Sequence, residues 1–135
     1  MPKHNTLSLL GEWLQTIDAT VTTLSYFLTK PNTCYKFNAS VVGLKTDLTA
    51  AAAYERVAAF RTNAAGTLTQ VGATATPVTI EDNGAYDCEI VAGTVTVSGV
   101  AVPAIILRIT GAAVTIVNWR ADVNVLTVGL GPEES

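Results

Sequence analysis

Apolar and polar residues alternate through much of this chain, most regularly near the C-terminus. Over residues 117–125 the apolar positions are Val117, Trp119, Ala121, Val123 and Val125, and the polar ones are Asn118, Arg120, Asp122 and Asn124. Successive side chains of a β-strand point to opposite faces of a sheet, so this pattern predicts a strand with one buried and one solvated face.

The same pattern predicts strands at residues 13–17, 21–28, 35–46, 54–62, 67–75, 78–80, 86–91, 94–98, 104–110 and 115–128. Asn83-Gly84 is the strongest turn signal, because Asn-Gly readily adopts positive φ at both positions. The alanine-rich stretch 47–53 predicts a loop with one helical turn. Many short strands without alternating helices predict an all-β fold, an antiparallel, jelly-roll-like β-sandwich with a short N-terminal arm or helix.

The first 15 residues differ from the rest and predict a separate N-terminal segment, followed by one β-sandwich domain at 16–128 and a flexible tail at 129–135. Thr6 could cap a helix over residues 6–15 with leucines on one face, although Gly11 weakens that helix. The alternative is an extended arm that docks its leucines on a neighbouring subunit. The residues of interest for docking are Leu7, Leu9, Leu10 and Trp13.

The composition favours a protein that contacts other subunits. Charged residues make up 14% of the chain, well below the roughly 25% of ordinary soluble domains, whereas there are 20 threonines and 16 valines. The net charge of −3 and the lack of basic runs argue against nucleic acid or an anionic membrane as partners. The apolar stretches are too short for a membrane span or a signal peptide, so we expect synthesis in a cytoplasm.

The sequence offers no recognisable catalytic or metal-binding set, and we therefore expect no enzyme activity, no cofactor and no metal site. The single histidine, His4, lies in the terminal segment, where nothing would orient it as a base. Two cysteines far apart in sequence, Cys34 and Cys88, do not give zinc-ligand spacing. Cys88 falls on the apolar side of a predicted strand and is interpreted as a small buried hydrophobic residue.

The aromatic residues are interpreted mainly as core, with a sugar-stacking platform as the alternative. One face is mixed: Tyr54 and Phe60 share it with Arg56, which makes these three residues candidates for an interaction surface.

Several segments resemble bacteriophage virion proteins that carry a β-sandwich module at tail-fibre ends or on capsid surfaces. The similar segments are 16–24, 35–47, 52–61 and 107–121, of which Ile109-Thr110-Gly111-Ala112-Ala113 with Asn118-Trp119-Arg120-Ala121 is the most specific. The chain departs from that module at residues 1–15 and at Gly99-Val100-Ala101-Val102-Pro103, and either could be a docking element.

This resemblance implies a virion structural role. The lack of a shaft or heptad repeat favours a capsid decoration or cement protein over a tail fibre. Its expected partners are the major capsid protein and further copies of itself, a homotrimer before a homodimer. The expected location is the capsid surface of the virion, after synthesis in the host cytoplasm. The alternative is a tail-fibre or receptor-binding tip that contacts host-surface glycans.

Overall fold

The computed structural model describes residues 5–130, with residues 5–12 described by their backbone alone. Eight strands form two antiparallel sheets, one of five strands in the order β1-β8-β3-β4-β5 and one of three in the order β2-β7-β6. The strands are β1 (Asn5–Thr16), β2 (Val21–Leu28), β3 (Thr33–Lys45), β4 (Ala51–Thr62), β5 (Leu68–Glu81), β6 (Asp87–Val97), β7 (Val100–Thr110) and β8 (Val117–Gly129). The prediction of an all-β antiparallel sandwich is confirmed.

The strand pairing is nested, as in a jelly roll. The first strand pairs with the last, β1 with β8, and the second pairs with the last but one, β2 with β7. In the middle of the chain, β4 pairs with β3 as a hairpin. Strand β5 pairs with β4 and forms the edge of the five-stranded sheet. The pairs β8–β3 and β3–β4 therefore form the centre of that sheet.

The core lies between the two sheets and is filled by the alternating residues that the sequence pattern marks as apolar. On β8 every second residue from Val117 to Val125 is buried, and on β3 the same holds from Tyr35 to Val41. The three-stranded sheet contributes Ile105, Leu107 and Ile109 from β7. Strict alternation over paired strands gives both sheets one dry face.

Trp119 is the centre of this core and is fully buried. Its indole Nε1 donates a hydrogen bond of 2.9 Å to Oγ1 of Thr16 at the end of β1. Its ring stacks on Tyr54 and meets Tyr86 edge-on, with centroid distances of 6.4 and 5.6 Å. Gly43 pairs with Trp119 in the sheet, and a Cβ at position 43 would come within 2.5 Å of the indole.

The N-terminal segment is neither a helix nor a detached arm over the residues described. Residues 5–16 form β1, which pairs with β8 from Asn5–Thr127 to Thr16–Val117, with a bulge between Leu9 and Glu12. The predicted helix at 6–15 is therefore wrong. The segment is extended because the edge of β8 offers it backbone hydrogen-bond partners, and Gly11 disfavours the alternative helix.

Two local predictions also change. The helical turn predicted within 47–53 is absent, because residues 46–50 make a tight turn with Leu48 at φ 67° and the alanines begin β4. Asn83 and Gly84 do turn the chain, but with ordinary negative-φ geometry: Asn83 accepts from Tyr86 N–H and Ala85 N–H. The positive-φ hairpin turn lies instead at Ser98-Gly99, with φ of 50° and 79°.

Both cysteines are free thiols; Cys34 is exposed, whereas Cys88 is buried on β6 as predicted. Burial raises the pKa of the Cys88 thiol to about 12, because the dry surroundings disfavour the thiolate; Asp87 and Glu89 act in the same direction and Arg56 opposes them.

Replacing Trp119 with alanine should lower the free energy of unfolding by about 3–5 kcal/mol, because a large cavity and an unpaired Thr16 hydroxyl remain. Trp13→Ala is the matched control, since Trp13 is 60% exposed and its loss should cost less than about 0.5 kcal/mol. Urea denaturation measures both. Equal midpoints for the two variants would contradict the central position of Trp119.

Stability should fall in alkali through Cys88. Because its folded pKa lies above its unfolded value of about 8.5–9, the thiol contributes fully below pH 9 and its contribution is lost between pH 9 and 12. By pH 11 the loss should be about 2–3 kcal/mol, at about 1.4 kcal/mol for each pH unit. Cys88→Ala should flatten the pH profile of unfolding, whereas Cys34→Ala should leave its slope unchanged. A slope unaltered by Cys88→Ala would refute this.

Candidate interaction surface

The face of the five-stranded sheet that points away from the core is uncovered and carries several large apolar side chains. We call it the outer face. Its exposed apolar residues include Trp13 on β1, Val42 and Leu44 on β3, Val71 and Ile80 on β5, and Leu126 and Val128 on β8. Solvated faces of antiparallel sheets are usually polar, so a face of this composition is typical of an interaction surface.

Strand register arranges the outer face in rows that run across the sheet. One row joins Trp13, Arg120, Val42, Ala53 and Ile80, each paired with the next. Paired residues of an antiparallel sheet share a face, with Cβ atoms about 4.5–5.5 Å apart. The sheet therefore brings together side chains that are far apart in sequence.

The next row along the strands is more polar and joins Asp122, Ser40, Glu55 and Val78. The second row and the middle of the first, Arg120, Val42 and Ala53, line an open depression of about 460 Å³, which we call the Arg120 depression. Among the residues that the structure describes, Glu55, Arg120 and Asp122 have no hydrogen bond or ion pair through their side chains. The depression thus presents a guanidinium, two carboxylates and a hydroxyl to solvent.

A second depression, of about 480 Å³, lies toward the other end of the outer face. We call it the Leu126 depression. It is lined by Cys34, Tyr35, Lys36, Ala59, Leu126, Thr127 and Val128. Val128 is 63% exposed there. Val42 lies six positions after Lys36 on β3, which at about 3.3 Å per residue places the two depressions roughly 20 Å apart.

The β6–β7 hairpin is a second uncovered element. Strand β2 pairs with β7 only as far as Ala104, whereas β6 and β7 stay paired to Val97–Val100. The hairpin tip, residues 94–103, therefore extends past its neighbour, and Val100 at the turn is 61% exposed. It includes the segment 99–103 that the sequence analysis singled out.

Three of the candidate interaction residues lie in the core instead. Tyr54, Arg56 and Phe60 are inward-facing positions of β4, and all three are buried. They are not available to a partner on the surface. The inward face of β4 contains both apolar and charged residues because Arg56 is buried in the core.

Arg56 is 4% exposed and connects the two sheets. Its Nε donates to the carbonyl of Cys88 on β6 at 2.9 Å, and its terminal nitrogen donates to the carbonyls of Val78 and Glu55 at 2.7 and 3.0 Å. Its guanidinium carbon lies 4.8 Å from the ring centre of Tyr54. The register of the β4–β5 pair shifts at this point. The arginine therefore donates a hydrogen bond to a carbonyl that the strand pairing leaves without a backbone partner.

Tyr54 also anchors the edge of the sheet, since its hydroxyl donates to Glu81 of β5. Burial, and then this carboxylate, raise the pKa of the Tyr54 phenol well above its usual value.

Of the remaining candidates, the three leucines are described by their backbone alone, and Trp13 lies on the outer face. Leu7 and Leu9 pair with Val125 and Val123, and Leu10 falls in the β1 bulge, but their side chains lie outside the described residues. Trp13 is on the outer face beside Arg120. Residues 131–135 of the predicted tail, and His4, also lie outside the described residues.

The sequence analysis missed the outer face as a surface. A signal was present: on β8 the solvated positions Asn118 to Asn124 are polar, but the next two, Leu126 and Val128, are apolar. Val42 and Leu44 break the pattern on β3 in the same way. Among the side chains that the structure describes, those of residues 13–130, no three histidine, cysteine, aspartate or glutamate groups gather to hold a metal ion. In the same range there is no helix of the length and apolarity that a bilayer requires.

No protein-family model and no curated protein matches this chain. Among solved structures, the tailspike protein of Acinetobacter baumannii phage AM24 is similar, with 8% sequence identity and a TM-score of 0.45. The match covers 95% of this chain and 27% of that one, so this chain spans about a quarter of the tailspike chain. A likeness this weak establishes neither a shared fold nor a shared function.

Proposed function

We propose that this chain is a structural protein of a bacteriophage virion, a capsid decoration or cement protein that binds the major capsid protein and stabilises the shell. In this proposal it acts by binding alone, without catalysis, cofactor, nucleic acid or membrane. The observation that carries the proposal is the set of exposed apolar side chains on the uncovered outer face and at the hairpin tip, on a chain whose sequence segments resemble virion β-sandwich proteins.

The size of the outer face suits a protein partner. Five strands spaced at about 4.8 Å span roughly 24 Å, and the 13 residues of β3 span roughly 40 Å at about 3.3 Å each. The resulting area of about 900 Å² is close to the roughly 800 Å² that each partner contributes to a standard interface.

We assign contact between copies to the Leu126 depression. Its lining is mostly apolar, with Lys36 as the one charged side chain, so covering it costs little desolvation of charge. Closed rotational symmetry then favours a homotrimer, with a homodimer as the alternative.

The hairpin tip is the element that we assign to the major capsid protein. Val97 and Val100 flank its turn and are exposed. Among the described residues, no strand pairs with the β7 edge of the tip beyond Ala104, so this edge could pair with a partner strand, a frequent mode of protein recognition.

Copy number distinguishes this function from its alternative, a tail-fibre or receptor-binding tip. Quantitative mass spectrometry of purified virions should find on the order of hundreds of copies per particle, because a decoration protein repeats with the icosahedral shell. Electron microscopy should place them on the head. A count close to that of the tail components would reject capsid decoration.

Leu126→Glu should dissociate the homo-oligomer, because an unpaired carboxylate in a dry interface is costly. We expect dissociation constants to rise on the order of a hundredfold, or about 3 kcal/mol, in analytical ultracentrifugation. Ala64→Glu adds the same charge in the exposed turn after β4 and serves as the control. A monomeric wild-type protein, or an unchanged Leu126→Glu assembly, would contradict the assigned contact.

A further inference from the structure

We infer that the free edge of strand β6 pairs with the same edge of a second copy of this chain, in an antiparallel arrangement with two-fold symmetry. This contact goes beyond the proposed function, and it is separate from the contact between copies assigned to the Leu126 depression. It joins two three-stranded sheets into one sheet of six strands. Three features of β6 carry the inference: the direction of its backbone groups, its unprotected edge and its symmetry.

The backbone groups of alternate residues of β6 point away from β7. The carbonyl of Pro103 accepts a hydrogen bond from the Thr29 N–H, so it points toward β2. Its cross-strand partner Thr94 therefore points the opposite way, out of the sheet, because the two residues of such an antiparallel pair face away from each other. Two positions further along, in the same alternation, the carbonyl of Cys88 likewise points away from β7, since it accepts from Arg56 of the other sheet.

The outward-pointing backbone groups of β6 have no partner along most of the strand. Strand β6 is the edge of its sheet, and the residues concerned are Ile90, Ala92, Thr94 and Thr96. Among the residues that the structure describes, none forms a hydrogen bond with these outward groups. The last three of the four residues also have exposed side chains, so a second strand can approach. An unpaired edge of this kind is a template for pairing with another chain.

Strand β6 lacks the features that usually protect a sheet edge, which are bulges, prolines and charged side chains. The other edge strands, β1, β2 and β5, each have extra residues that shift their register, and β5 also contains Pro77. By contrast, β6 pairs with β7 over its whole length without a shift. Residues 90–97 include no proline and no charge. The β6 edge is therefore open to pairing.

A second copy is the partner because the free segment is complementary to itself. Both backbone groups of Cys88 are already bonded, the carbonyl to Arg56 and the N–H to the Asp87 carboxylate, so the free segment begins at Ile90. Its centre is then Gly93. A two-fold axis through Gly93 matches every free residue of one copy with a free residue of the other and gives about eight backbone hydrogen bonds, close to the roughly ten of a typical protein interface.

The side chains beside this axis also suit pairing. Because Ile90 points into the core, Val91 and Val95 point to solvent, and the axis sets Val91 opposite Val95 of the partner subunit. Pairs of β-branched residues across strands stabilise a sheet. Glu89 lies at the end of the paired segment, opposite Val97 of the partner subunit, so no like charges face each other.

The contact closes on itself and leaves the other surfaces accessible. Each copy has a single β6 edge, and the opposite edge of the sheet is the bulged strand β2, so pairing stops at two copies. The edge assigned to the capsid protein belongs to β7, on the other side of the hairpin. Where trimers form through the Leu126 depression, the two-fold contact links one trimer to the next.

Disulfide trapping tests the pairing and its register. In the variant Val91→Cys/Val95→Cys, with Cys34→Ser, each new cysteine lies opposite one of the partner subunit, with Cα atoms about 4.5 Å apart, which is within disulfide range. Mild oxidation should convert most of this variant to a covalent dimer on a non-reducing gel. Val91→Cys/Val97→Cys, also with Cys34→Ser, is the matched control. Its thiols lie on the same face but out of register, and it should give roughly a tenth of that dimer or less.

Proline substitution tests the same contact without new cysteines. Analytical ultracentrifugation is carried out in a Leu126→Glu background, so that the β6 contact is measured by itself. Thr96→Pro removes an N–H that points to the partner subunit, whereas Ala101→Pro removes the N–H of its cross-strand partner, which points to the opposite edge. Thr96→Pro should raise the dissociation constant of the dimer about tenfold or more, and Ala101→Pro should leave it unchanged. Equal melting temperatures show that both variants fold.

A Leu126→Glu protein that stays monomeric at the highest concentration measured would overturn the inference and assign the β6 edge to a strand of another protein. Equal trapping in the two cysteine variants would overturn the register and its axis at Gly93. Equal dimerisation of two folded proline variants would show that the copies associate through another surface, and would overturn the inference as well.

Discussion

The close contact between Trp119 and Gly43 is the constraint on which the fold depends. The two residues pair across β8 and β3 within the five-stranded sheet, and the indole lies 2.5 Å from where a Cβ at position 43 would be. A side chain there would push Trp119 toward the three-stranded sheet and away from Thr16, its hydrogen-bond partner on β1. A close-packed core cannot absorb such a displacement. The Trp119 side chain therefore holds together the edge strand β1, the central strands β8 and β3, and the sheet that packs against them.

The second connection between the sheets is polar. Arg56 reaches from β4 to the carbonyl of Cys88 on β6 and binds the Val78 carbonyl on β5. A buried charge is tolerated here because carbonyl oxygens and the face of Tyr54 surround it, at the point where the register shift leaves backbone groups unpaired. Arg56 therefore couples the core to the edge strand β5.

The sequence predicted much of the fold and little of the candidate site. Alternation placed β2, β3, β4 and β8 close to their observed bounds, and it identified Trp119 and Cys88 as inward-facing. It failed where a tertiary partner outweighs local preference. Residues 5–16 form a strand because β8 offers them backbone partners, and the Ser98-Gly99 turn takes positive φ because a regular hairpin flanks it.

What the sequence determined by itself is which side of each strand is dry, because that requires only the two-residue period of an extended chain. Only the tertiary structure decided which strands are neighbours. That choice places Trp13 beside Arg120, sets Glu55 in the row of Asp122, and moves Tyr54, Arg56 and Phe60 from a candidate interface into the core. The physical reason is that register joins residues far apart in the chain, and local alternation carries no information about those distant partners.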